Sequence, residues 1–215
     1  MNANGFEKLH GIDEMDEKQV LTLCRTAEQL TRQKLSGTIE LYRPVKVQTG
    51  RTPRQTGARR IRRTNVMKRI GILGAGTWGM ALARMLTVSG NDVLVWSAIE
   101  KEIDSLSTTR KHPNLPQMKI PDELRFTKSI EEVCKDKDIL LFAVPSVFVR
   151  STAAKARPYV ADGQIIVDVA KGIEPDTLYT MTEILADELG KEGGPKGVRL
   201  VALSGPTHAE EVAID

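Results

Sequence analysis

Residues 71–86 read GILGAGTWGMALARML, and their reading decides the fold. Gly74, Gly76 and Gly79 form a G-x-G-x-x-G pattern between the short apolar run RIGIL (69–73) and an amphipathic segment. The pattern alone is weak, because glycine is common; a strand before it and a helix after it are what give it meaning. In that setting Gly74 makes a tight turn, Gly76 lets backbone N–H groups approach a pyrophosphate, and Gly79 lets the helix pack close to the strand. The helix N-terminus then faces the anion. No G-K-[ST] follows, which disfavours a mononucleotide P-loop.

The surroundings supply that setting. DVLVW (92–96), DILLFAV (138–144), QIIVDVA (164–170) and VRLVAL (198–203) are short, β-rich and apolar without alternation. Strands buried on both faces of a parallel sheet have this character. A weaker strand is expected at LRFT (124–127). Helical segments are expected between them at Trp78–Ser89, Ile99–Ser107, Ser129–Cys134, Ser146–Ala156 and Asp176–Glu188. Strands alternating with helices predict an α/β fold with a doubly wound parallel sheet of the Rossmann type, which binds ligands at the carboxyl ends of its strands.

Three further motifs fall on those ends. AVPS (143–146) closes one strand with Pro145 and a capping serine, where a nicotinamide ring would lie. AKGIEPDT (170–177) puts Lys171 directly after another strand, and SGPTHAEEVA (204–213) puts Gly205, Pro206, Thr207 and Ala209 at the next strand-to-helix junction. The choice between NAD and NADP stays open. Where an acid or a basic residue usually contacts the ribose, this chain reads Trp96, Ser97, Ala98, Ile99, Glu100, Lys101. Glu100 would suit NAD and Lys101 NADP, but both are expected to be solvated on the following helix.

The 215 residues, 40% of them hydrophobic, suffice for one well-buried domain and something smaller. Residues 1–66 carry 13 Lys and Arg against 7 Asp and Glu, whereas residues 67–215 carry 18 against 21, so net charges of +6 and −3 divide the chain. The expected domains are a 1–66 N-terminal extension with a basic linker and a 67–215 dinucleotide-binding unit beginning at Met67. Within the extension, Asp16–Ser36 has helical spacing and TIELYRPVKV (38–47) is limited by Pro44 to an edge strand. RTPRQTGARRIRRTN (51–65) has the composition of a tether. Its arginines suit non-specific phosphate contacts, yet no aromatic residue is interleaved to stack on bases, so nucleic acid is not the expected partner.

No apolar run approaches the roughly 20 residues that cross a bilayer. The polar, acidic N-terminus does not read as a signal or transit peptide. Cys24 and Cys134 stand alone, as in a reducing cytoplasm, and His10, His112 and His208 show no ligand spacing, so no metal is expected. His10 and His112 lie in irregular polar stretches, and His208 reads as a packing or surface residue.

At GAGTWG, AVPS, AKGIE and SGPTHAEEVA the sequence resembles the NAD(P)-dependent glycerol-3-phosphate dehydrogenases over Met67–Asp215, about the first half of such an enzyme. The resemblance implies reduction of dihydroxyacetone phosphate to sn-glycerol 3-phosphate for phospholipid synthesis, with NAD or NADP as cofactor. To the cofactor contacts expected at Gly74, Gly76, Gly79 and Pro145 from their place in the fold, it adds Thr77, Trp78, Lys171 and Ala209, and it assigns substrate contacts to Lys171, Gly205 and Thr207. In the family the proton-exchanging lysine, phosphate-binding groups and much of a homodimer contact belong to a C-terminal helical domain. Lys171 is therefore expected to support catalysis, and this chain alone to be inactive. The family often has a basic residue or histidine where this chain has Ala98, which weakens an NADP preference. Two other readings are another two-domain NAD(P) dehydrogenase, disfavoured by SGPTHAEEVA, and a non-enzymatic dinucleotide-sensing module.

Overall fold

Six short runs become six strands, the central four because they are covered from both sides. β1 (Arg69–Leu73), β2 (Asp92–Trp96), β4 (Ile139–Phe142) and β5 (Ile165–Asp168) are buried along nearly their whole length, while β3 (Arg125–Thr127) and β6 (Arg199–Ala202) form the two edges. All pair in parallel in the order β3-β2-β1-β4-β5-β6, the doubly wound dinucleotide-binding arrangement. The computed structural model describes residues 67–205 and 208–214. The helix and strand expected before residue 66, and the basic stretch after them, lie outside the described residues.

The helices are α1 (Thr77–Val88), α2 (Glu100–Thr109), α3 (Ile130–Cys134), α4 (Val149–Ala156), α5 (Met181–Leu189) and α6 (Ala209–Ile214). One apolar layer joins Leu73, Leu140 and Phe142 of the sheet to Val149 and Ala153 of α4 and to Ile184 and Leu185 of α5. Burying each such aliphatic side chain contributes about 1.5–3 kcal/mol. Together they hold the strand ends that carry the site.

Two helices differ from expectation. The segment expected to be helical from Ser146 opens as a 3-10 turn, Ser146–Phe148, before α4 begins at Val149. The segment expected from Asp176 begins only at Met181. There Thr180 and Glu183 form a reciprocal capping box, which satisfies amides at the helix start and so fixes where it begins. Ahead of it the chain makes a tight excursion: Leu178 sits at φ 59°, and Ile173 bridges Thr180.

Candidate active site

The register brings the strand ends to one level. Leu73 pairs with Trp96 on one side and Phe142 on the other; Phe142 pairs with Asp168, and Asp168 with Ala202. The GAGTWG, AVPS, AKGIE and SGP segments therefore leave the sheet along one rim. The order reverses between β1 and β4, where the first two of these segments meet.

That meeting is close. Gly74 has φ +123°, and a Cβ there would lie 2.6 Å from the Ala143 carbonyl oxygen. A Cβ on Gly79 would lie 2.2 Å from the Gly74 carbonyl oxygen. Gly76 is different. It is exposed, and a Cβ added to it would meet nothing within 4 Å. It is also the N-cap of α1 and provides no side-chain cap, so amides of the first turn lack an intrahelical acceptor. Tight packing at Gly74 and Gly79 with open space above Gly76 is the geometry a pyrophosphate needs. Thr77 and Trp78, both half-buried, continue that turn.

Pro145 is exposed at the end of AVPS and accepts from the Phe148 amide at 2.8 Å, which sets the 3-10 turn. The AKGIE segment is packed against it: a Cβ on Gly172, at φ +155°, would lie 2.9 Å from the Ser146 Cβ. Arg150 of α4 holds the same segment through two hydrogen bonds of 2.7 Å to the Glu174 carboxylate, and also pairs with Asp187 of α5. The guanidinium keeps the Glu174 carboxyl down at about 2, with help from the Thr177 hydroxyl. Lys171 is exposed on the rim, and its ammonium donates to the Gly205 carbonyl at 3.1 Å.

Ala209 opens α6, which packs against α1. Pro206 and Thr207 lie outside the described residues. The structure therefore brings Gly74, Gly76, Thr77, Trp78, Gly79, Pro145, Lys171 and Gly205 to one rim, and leaves Thr207 undescribed.

Residues 69–215 match the family described as NAD-dependent glycerol-3-phosphate dehydrogenase N-terminus. The chain belongs to that family. A glycerol-3-phosphate dehydrogenase [NAD(P)+] of Lactobacillus delbrueckii subsp. bulgaricus is 68% identical over 149 residues, covering 69% of this chain and 44% of the relative. One from Bacillus subtilis is 38% identical over 151 residues, covering 69% and 42%. The crystal structure of the Coxiella burnetii glycerol-3-phosphate dehydrogenase is similar with a TM-score of 0.59 at 29% identity, over 68% of this chain and 43% of that one. The chain thus spans less than half the length of the curated relatives it matches.

Sequence reasoning assigned no site role to three residues near this rim. Asp168, at the end of β5, is 4% exposed; burial pushes its carboxyl up to about 6, although Oδ1 accepts from the Ala170 amide at 3.0 Å. His112, read as part of an irregular polar stretch, is 3% exposed. Its Nδ1 accepts from the Asn114 amide at 3.2 Å, and the imidazole interacts with the Ala75 backbone inside the glycine turn. Burial lowers its pKa. Glu102 reaches back to Ser97 at the end of β2. Of these contacts only that of His112 with Ala75 reaches across the fold; Asp168 and Glu102 bond within five residues of themselves. Glu100, in contrast, faces Lys128 on the surface at 3.6 Å.

Proposed function

We propose that this chain supplies the cofactor-binding half of an NAD(P)-dependent glycerol-3-phosphate dehydrogenase, which reduces dihydroxyacetone phosphate to sn-glycerol 3-phosphate in glycerophospholipid synthesis. The observation that carries this reading is the open face above Gly76 at an uncapped helix start, flanked by closed packing at Gly74 and Gly79. The amides of Thr77 and Trp78 hold the pyrophosphate, and Pro145 bounds the place of the nicotinamide. When bound, the cofactor supplies the hydride that reduces the substrate carbonyl.

Lys171 supports that step with positive charge at the carbonyl end of the cleft. The Gly205 carbonyl fixes the ammonium, while the Arg150–Glu174 pair and the Gly172–Ser146 contact hold its segment on the sheet. A fixed charge that does not reorganise as negative charge develops on oxygen is the effective kind. Gly205 and Thr207 contact the substrate, and Ala209 lines the cofactor site. The proton donor, further phosphate contacts and the dimer contact come from a helical half of the complete enzyme, which works in the cytoplasm. No described helix is long and apolar enough to cross a membrane.

Nucleotide titration of the chain and of Gly76→Val tests the cofactor site. The valine side chain enters open space at an ordinary φ of −66°, so the fold persists while the pyrophosphate is blocked. Saturable NADH or NADPH binding that disappears in the variant is the expected outcome. Identical titration curves would overturn the site.

A further inference from the structure

The adenosine ribose of a dinucleotide lies at the end of the second strand, where an acid accepts its 2′-hydroxyl or a cation takes a 2′-phosphate. In this chain the strand ends at Trp96, whose carbonyl accepts from the Gly74 amide at 2.8 Å, so that end abuts the glycine turn. The next residue, Ser97, is 7% exposed. Its hydroxyl donates to Glu102 Oε2 at 2.5 Å and accepts from the Ile99 amide at 3.1 Å. Glu102 lies in the first turn of α2, and this bond folds its carboxylate back onto the strand end. His112 is close enough for the Glu102 charge to favour its protonated form, while the same imidazole interacts with the Ala75 backbone. Glu102 thus sits against the strand end, within electrostatic reach of His112.

The nearby cations are committed elsewhere or exposed. Lys128 pairs with Glu100 and Asp104. Arg110 donates to the carbonyls of Leu124, Pro121 and Asp122. Lys101 is exposed on α2. Among the described residues no ion pair neutralises Glu102.

We propose that Glu102, folded back onto Ser97, is the ribose-selecting residue of the site and makes it prefer a dinucleotide with a free 2′-hydroxyl over one carrying a 2′-phosphate. This rests on the dinucleotide reading of the rim. Ser97 engages Oε2, which leaves Oε1 to accept from a ribose hydroxyl. A 2′-phosphate instead brings close to two negative charges against the carboxylate, while the Arg110 guanidinium is already bonded to three backbone carbonyls. NADH is therefore the better ligand and NADPH the poorer one.

The test is equilibrium titration of the 215-residue chain with NADH and with NADPH, followed by quenching of Trp78 and Trp96, its two tryptophans. NADH is expected to bind at least about tenfold more tightly. Added salt should narrow the ratio, because it screens the repulsion felt by the 2′-phosphate. Glu102→Gln should narrow it further, mainly through tighter NADPH binding. Equal affinities, an NADPH preference, or a ratio that neither salt nor the substitution moves would overturn the assignment. Should Glu102→Gln fail to fold, the salt series on the unaltered chain decides alone. Absence of binding by both nucleotides would overturn the dinucleotide reading, and this assignment with it.

Discussion

The Lys171 ammonium donates to the Gly205 carbonyl at 3.1 Å, joining the segment after β5 to the segment after β6. These residues are 34 apart in sequence, and both lie in motifs that the family resemblance assigns to the substrate. The bond leaves two ammonium protons for a ligand while holding the charge at a defined point on the rim. Orientation of this kind is lost when the side chain is truncated, even though the fold does not depend on an exposed lysine.

Lys171→Ala is accordingly expected to leave the melting temperature within about 1–2 °C of the parent, since exposed substitutions usually change stability by less than ~0.5 kcal/mol. Its effect belongs to turnover. In a chimera joining residues 67–215 to the remaining half of the Lactobacillus relative, reduction of dihydroxyacetone phosphate should fall by about 10² or more, as for loss of a fixed electrostatic donor. The 215-residue chain alone should give no turnover in the same absorbance assay. Full activity of the Lys171→Ala chimera would remove Lys171 from the chemistry.

Gly74 and Gly76 should separate folding from binding. Alanine at Gly74 would occupy a left-handed φ of +123° with its Cβ 2.6 Å from the Ala143 carbonyl, so β1 and β4 would have to part at their carboxyl ends. A loss of about 2–4 kcal/mol is expected, measured by urea unfolding. Gly76→Val should unfold at nearly the parent urea concentration. Equal destabilisation by the two substitutions would contradict the division of roles between these glycines.

The uneven legibility of this molecule follows from the range over which each feature is determined. Runs such as ILLF in β4 identify strands because burial on both faces removes polar alternation, a property carried within a few residues. The glycine turn is readable for a similar reason: its strand, turn and helix are contiguous. The start of α5 is also local, yet Asp176–Tyr179 has acceptable helix spacing, and the Thr180–Glu183 capping box decides the boundary. Ser97–Glu102 is local too, and its five-residue spacing recurs at Thr127–Glu132 after β3, so that pairing carried a signal in the sequence. His112–Ala75 carried none, because it joins residues from separate crossovers.

Removal of residues 1–66 tests the domain boundary proposed at Met67. β1 begins at Arg69, and its opening amide is anchored across the sheet: Arg69 N donates to Asp138 Oδ2 at 2.7 Å. The Lys68 amide likewise donates to Asn91 Oδ1 at 3.2 Å, so the first residues of the strand are held from within 67–215. The shortened protein should keep the parent melting temperature within a few degrees and bind nucleotide equally well. Unfolding on truncation would show that the extension completes the fold.

Asp168 predicts a pH dependence whose sign is unusual for a carboxylate. Burial raises its pKa from 3.8 to about 6, so the folded state holds this proton more tightly than the unfolded chain. Its contribution to stability must therefore grow as pH falls from about 7 towards about 4, and ionisation above about 6 must oppose folding. Asp168→Asn removes the charge and keeps an oxygen to accept from the Ala170 amide, which now bonds Oδ1 at 3.0 Å. The variant should be more stable than the parent at neutral pH by about 1–3 kcal/mol, and that advantage should shrink on acidification to about pH 4. Paired thermal unfolding across this range measures the difference directly. Because Asp168 lies three residues before Lys171, the same variant also asks whether the turn or the charge holds the lysine in place. An intact turn without the carboxylate should preserve nucleotide binding. Parallel stability profiles for the two proteins would show that the Asp168 proton is bound no more tightly in the folded state.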